Sequence, residues 1–296
     1  LRPPGGQEHA RGGGGGERVI GAEEGGAWPQ LRLQLRSALA RAYPRVRTLP
    51  RERSWLVTEI TLPLLGTIAM VYVYRALQAP PRFTGFVVLG GSMLAYWQNV
   101  LWSMANQLYW DRYSGNLELY AISPASFLAI LGGMAIGGMA STTVRAAAVM
   151  VTCSLLFQVH WEPAGALPAA GVFLLTLAAL YGLGSVLAAL FLFYAREAWH
   201  LAYALQEPVH LLSGLYFPVR SLGAAVGGAA SVVPLTLGLD AIRQLLLTGS
   251  PALVGVGWEV AVLAVQVPLY CLAAQRAFDL VEMRARRDGQ LIMRPS

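Results

Sequence analysis

From Trp55 onward the chain alternates long apolar stretches with short polar breaks. Six stretches reach about the 20 residues that a helix needs to cross a hydrocarbon core roughly 30 Å thick. Their expected limits are residues 55–77, 83–104, 127–157, 168–194, 199–217 and 254–277. Residues 218–250 do not fit this pattern. The stretch LGAAVGGAASVVPLTLGL is too apolar for a solvated loop, yet Arg220, Asp240 and Arg243 keep the segment from being a plain span. It is expected to form a re-entrant pair of short helices roofing the outer side, with Asp240 and Arg243 one turn apart near the external interface. Upstream, Leu31, Leu35, Ala38, Leu39 and Ala42 recur at helical spacing, while Arg32, Arg36 and Arg41 lie off that stripe. Such a helix lies flat at a membrane interface, and Pro44 should end it. Residues 1–30, with the run Gly12 to Gly16, read as disorder.

The expected organisation is therefore a tail (1–30), an interface helix and linker (31–53), a six-helix membrane domain (54–279) and a short C-terminal tail (280–296). Composition agrees with an all-α integral membrane protein. Hydrophobic residues make up 55% and charged residues 13%, against about a quarter charged in soluble domains. All 22 basic residues are Arg. Without Lys there is no conventional phosphate loop and no Schiff-base chemistry. Arg36, Arg41, Arg45, Arg47, Arg51 and Arg53 precede the first span, and Arg284, Arg286, Arg287 and Arg294 follow the last. The positive-inside rule then puts both termini in the cytoplasm. Arg75, Arg82, Arg220 and Arg243 fall on the outer side against that bias. Cys153 and Cys271 read as packing residues, and no grouping has metal-ligand spacing.

Residues 110–124, WDRYSGNLELYAISP, form a polar island between the second and third spans. The island is similar to the cytoplasmic turn of ABC-2 type exporter permeases, whose E-R-E-x-G-T-L-E-like run is followed by a Ser/Thr-Pro. The corresponding residues are Asp111, Arg112, Gly115, Asn116, Leu117, Glu118, Ser123 and Pro124, with Tyr113 in place of an acid and Asn116 in place of Thr. LSGLYFPVRSL, residues 212–222, resembles that family's S-G-x-x-F-P segment. PLTLGLDAIR, residues 234–243, resembles its N-P-x-x-x-x-x-D/E-x-x-R stretch. The resemblance implies a half-transporter. Two permease chains, a homodimer favoured over a heterodimer, would form a pathway in a bacterial or archaeal cytoplasmic membrane. Two copies of a separate subunit would bind ATP and Mg2+, and the island would be the coupling helix that meets them. No cofactor is expected in this chain, no catalysis and no nucleic acid. The Ser-Gly…Phe-Pro version looks more like drug, antibiotic and lipid exporters than polysaccharide or glycolipid ones. A membrane-embedded enzyme is the remaining alternative, without the clustered carboxylates or nucleophile it would need.

Individual residues sharpen these expectations. A charge at the middle of a span costs at least ~2.5–3.5 kcal/mol on insertion scales, so Arg145 requires a partner, for which Glu207 is the expected choice. Pro208 is expected to break the helix behind Glu207. Glu59, one turn into the first span, reads as a cap or interfacial ion pair. His210, Tyr96 and Trp97 are placed as candidate pathway residues, alongside Arg145 and Glu207. Ser213, Gly214, Phe217, Pro218, Pro234, Asp240 and Arg243 are placed at an outer gate. The pairs Gly132-Gly133 and Gly137-Gly138 are spaced for close helix packing.

Overall fold

The computed structural model describes residues 27–48, 53–114, 126–194 and 198–288. Among the described residues all regular structure is helical. The helices are α1 (Ala27–Thr48), α2 (Arg53–Ala76), α3 (Arg82–Gln98), α4 (Asn106–Tyr113), α5 (Phe127–Phe157), α6 (Ala166–Tyr194), α7 (Ala198–Leu212), α8 (Ala224–Ala230), α9 (Pro234–Leu246) and α10 (Val256–Asp288). A π-helical segment, Asn99–Ala105, joins α3 to α4 without a break. Residues 1–26 of the expected disordered tail lie outside the described residues.

Among the described residues four helices are long and apolar enough to cross a membrane: Val57–Ala76, Leu128–Phe157, Pro163–Tyr194 and Val256–Val281. A fifth crossing arises if α8 and α9, bent by 110° to one another, count as one broken span. The expected second span changes from α to π winding at Asn99 and runs on into α4. The expected fifth ends early, because α7 stops at Leu212, and its 15 residues extend only about 22 Å. Three local expectations are corrected. Helix α1 runs past Pro44 to Thr48, and α7 continues through Pro208. A proline so near a helix end removes only one hydrogen bond from the final turns. Helix α10 extends beyond residue 277 to Asp288, since the arginines in that stretch are good helix formers and suit a C-terminal dipole end.

Capping residues explain why α5 matches its expected limits. Ser126 is extended, and its hydroxyl accepts from the Ala129 N–H at 3.2 Å. At the other end Gln158 adopts the left-handed conformation, φ 53°, and its N–H returns to the Ser154 carbonyl.

Helix α3 is the centre of the fold. Residues 85–97 are buried without interruption, so no face of it meets solvent or lipid. Packing around it are α2, α5 and α9, while the π segment lies on α6 and α10 lies against α6. Lipid tails are as apolar as leucine, so close fit rather than hydrophobicity must hold such helices together. Small side chains supply that fit: α3 contains Gly85, Gly90, Gly91, Ser92 and Ala95. The edge helices are different. Only 11% of the apolar window of α2 and 17% of that of α10 are buried, against 61% for α6. Exposed Val57, Leu62, Leu65, Val265, Leu269 and Leu272 mark faces suited to lipid or another chain.

Candidate functional site

Two of the three motif segments meet around Arg243. The chain leaves α7 through Ser213 and turns at Gly214, whose φ of 69° is a left-handed value suited to glycine. The turn leaves three successive carbonyls without helical partners, and side chains from other elements take all three. Arg243 of α9 donates to the Gly214 oxygen and, at 2.9 Å, to Leu215. Tyr74 of α2 donates to Tyr216 at 2.7 Å. The same guanidinium donates to the Phe86 carbonyl of α3 at 2.7 Å and lies 3.3 Å from the centroid of the Phe86 ring. Gly90 completes the arrangement, because a Cβ there would overlap the Leu215 carbonyl. Arg243 is 2% exposed, so this is a guanidinium caged by backbone and an aromatic ring.

Asp240 lies one turn earlier on α9 and is also buried. Its carboxylate accepts from the Leu253 N–H at 2.7 Å and from the Gln244 amide at 3.1 Å. The Gln244 amide also reaches Glu259, on the first turn of α10, at 3.1 Å. Asp240 and Arg243 were expected one turn apart near the external interface. They are one turn apart, and both are buried and bind loop backbone. Among the other expected gate residues, Ser213 and Pro234 are buried, and Phe217 and Pro218 are half-buried at the turn.

Arg145 does not pair with Glu207. Its partner is Glu59 of α2, and its second donor reaches the Thr142 hydroxyl at 3.1 Å. The expectation failed because α5 spans about 46 Å over its 31 residues, so distance from its first residue does not measure membrane depth. Helical side chains also lean toward their own N-terminus, which carries the Arg145 guanidinium back toward Glu59. Glu59, expected as a cap or ion pair, is an ion pair. Glu207 has an exposed side chain, 4.0 Å from His210 on the same helix. Tyr96 and Trp97 are buried in the bundle. The Tyr96 hydroxyl donates to Thr143 at 3.0 Å, and its ring meets Phe173 edge-on.

Further along the same helical path the π segment inserts Asn99. Tyr181 of α6 donates to its side-chain oxygen at 2.8 Å. Gly138 of α5 leaves the room, since a Cβ there would come within 2.7 Å of that oxygen. Of the other glycines singled out, Gly133 lies against the Ala38 backbone of α1, whereas Gly132 faces open space. Helix α1 is thus packed on α5 rather than only resting on a surface.

The polar island is described only in part. Asp111, at the end of α4, is buried, held by Arg41 of α1 at 3.1 Å and by Gln107 at 3.1 Å. On the far side of the island, Ser126 donates through its N–H to Gln34 of α1 at 2.9 Å. Both flanks are therefore tied to one helix. The Arg112 side chain and residues Gly115, Asn116, Leu117, Glu118, Ser123 and Pro124 lie outside the described residues.

Sequence reasoning missed Asn99, Gln244, Glu259 and the Arg41–Asp111 pair. A polar residue amid apolar ones was the available signal for the first and third; their partners, far apart in sequence, gave none. Among the described residues no group of three or more His, Cys, Asp or Glu could hold a metal ion. No protein-family model matches this chain, and no curated protein matches it.

Proposed function

We propose that this chain is the membrane-spanning permease subunit of an ATP-driven exporter, moving an amphipathic, drug-like or lipid-like molecule with energy from a separate ATP-binding subunit. On this reading six segments cross the membrane, the composite helix α3–α4 and the region around α7 being the additional two. Both termini lie in the cytoplasm of a bacterial or archaeal cell. The bent α8–α9 pair roofs the pathway outside, and a second permease chain, an identical copy favoured, covers exposed apolar faces.

The observation that carries this reading is the unbroken helical path from the buried centre of α3 through the π segment to Asp111, clamped there to α1 by Arg41. A push on the polar island would travel along a rigid rod to the core, where a flexible loop would absorb it. π-Segments recur at functional positions in helices, and this one sits where the rod enters the bundle.

The experiment is co-expression with an ATP-binding subunit encoded beside this chain. The two should co-purify, and Glu118→Arg should dissociate them while leaving membrane insertion intact. The isolated chain should bind no ATP. Saturable ATP binding to it, or normal assembly and transport by the variant, would remove the basis for the proposal. Cysteines at Arg220 and Ser250 should both react with an impermeant reagent outside intact cells.

A further inference from the structure

Arg75 and Arg82, which run against the charge bias of the outer side, converge on one cleft. It has a volume of about 500 Å³, within the ~300–1,000 Å³ usual for small-ligand sites. Its walls are the α2–α3 turn, the end of α5 and residues Leu247 and Thr248, and it includes His160, Gln78, Gln158 and Thr84. Among the described residues no Asp or Glu lines it. Glu162 meets its wall, accepting from the Thr248 hydroxyl at 3.3 Å.

Both arginines are positioned through their carbon-rich surroundings. The Arg75 guanidinium lies 4.7 Å from the Phe157 ring centroid, and that of Arg82 lies 5.8 Å from Phe83. Arg82 also donates one N–H to the Gly249 carbonyl at 3.0 Å. Stacking uses the face of a guanidinium and leaves its edge for hydrogen bonding, and Arg has five N–H donors. The cleft's depth in the membrane follows from its neighbours. Two candidate spans end beside it, at Ala76 and Phe157, which is where phosphate groups of a bilayer lie. Tyr74 and Trp161 nearby suit the same headgroup level.

We propose that this cleft binds the phosphate-bearing headgroup of an anionic lipid, with Arg75 and Arg82 as its ligands and the amides of Gln78 and Gln158 available to the rest of the headgroup. The site depends on the chain's being embedded in a membrane and not on transport. It therefore stands whether or not an ATP-binding partner is found.

The test uses the full chain in nanodiscs holding equal amounts of phosphatidylglycerol and phosphatidylcholine, with retained lipid counted by native mass spectrometry. Wild type should keep phosphatidylglycerol preferentially, and R75Q/R82Q should lose roughly thirty-fold in that preference, the combined effect of two arginines at an anionic headgroup. R75K/R82K, which preserves both charges, and R220Q, an exposed arginine outside the cleft, should retain it. Displacement of the lipid by millimolar inorganic phosphate would support the phosphate chemistry with a soluble source, and resistance to displacement would assign the lipid. Equal retention of the two lipids by wild type, or an unchanged preference in R75Q/R82Q, would overturn the proposal.

Discussion

Arg145 and Arg243 are both buried arginines in helices, and they are held in opposite ways. Arg145 faces a carboxylate on α2, a helix that is mostly exposed, and the Glu59 side chain is itself 34% exposed. Arg243 makes its contacts with three carbonyls and a ring, all in the interior. The first is an ion pair between the centre and a peripheral element, and it could break and reform if α2 shifted. The second is a cage that fixes the Gly214 turn, and it cannot loosen without leaving several buried oxygens unpaired. Movement in this protein is therefore expected at the α2–α5 contact rather than at the Gly214 turn.

The largest expected effect comes from Arg243→Met. Removing the donor strands the buried Gly214 and Leu215 carbonyls and takes a second donor from the helical Phe86 carbonyl, at a cost of about 3–5 kcal/mol. Thermal unfolding in detergent should show a chain that barely folds. Lysine should recover little, because a point charge cannot span carbonyls on two elements. A stable Arg243→Met protein would mean that the turn holds itself together and that the cage is incidental.

The Glu59–Arg145 pair should give a smaller and non-additive result. Either Glu59→Gln or Arg145→Gln leaves one charge behind, whereas the double change removes both. A coupling of about 1–3 kcal/mol is expected from the four unfolding curves. Strict additivity would show the contact to be energetically empty, and the contrast between the two arginines would then rest on one of them alone.

Tyr181→Phe is the mildest change. It deletes one hydrogen bond to Asn99 in the π segment, worth about 1 kcal/mol. Unfolding should shift slightly, with no change in the Arg243 region. A loss as large as that for Arg243→Met would mean the π segment, not the cage, is the main fixed point of the fold.

Helix class and most helix positions were legible in the sequence, because a hydrocarbon solvent demands long apolar helices and polar breaks between them. The limits of α5 were expected to the residue. Its capping Ser126 and the Pro124 before it stand in the sequence beside the apolar run. Prolines misled at Pro44 and Pro208, where local propensity was outweighed by the rest of the helix. Four described helices are long enough to cross, or five with the bent pair, and periodicity could not show that α7 ends at Leu212.

The candidate site divides along the same line. Sequence alone marked Asp240 and Arg243 as charges amid apolar neighbours, and Gly214 only through its place in the Ser-Gly…Phe-Pro segment. It could not say that Arg243 reaches back 29 positions to Gly214 and 157 positions to Phe86. Nor could it separate Glu59 from Glu207 as the partner of Arg145, because both are single acids in apolar helices. Composition and periodicity determine which residues must avoid lipid. Which groups then satisfy one another depends on how the helices are arranged side by side, and that is decided only when the chain packs.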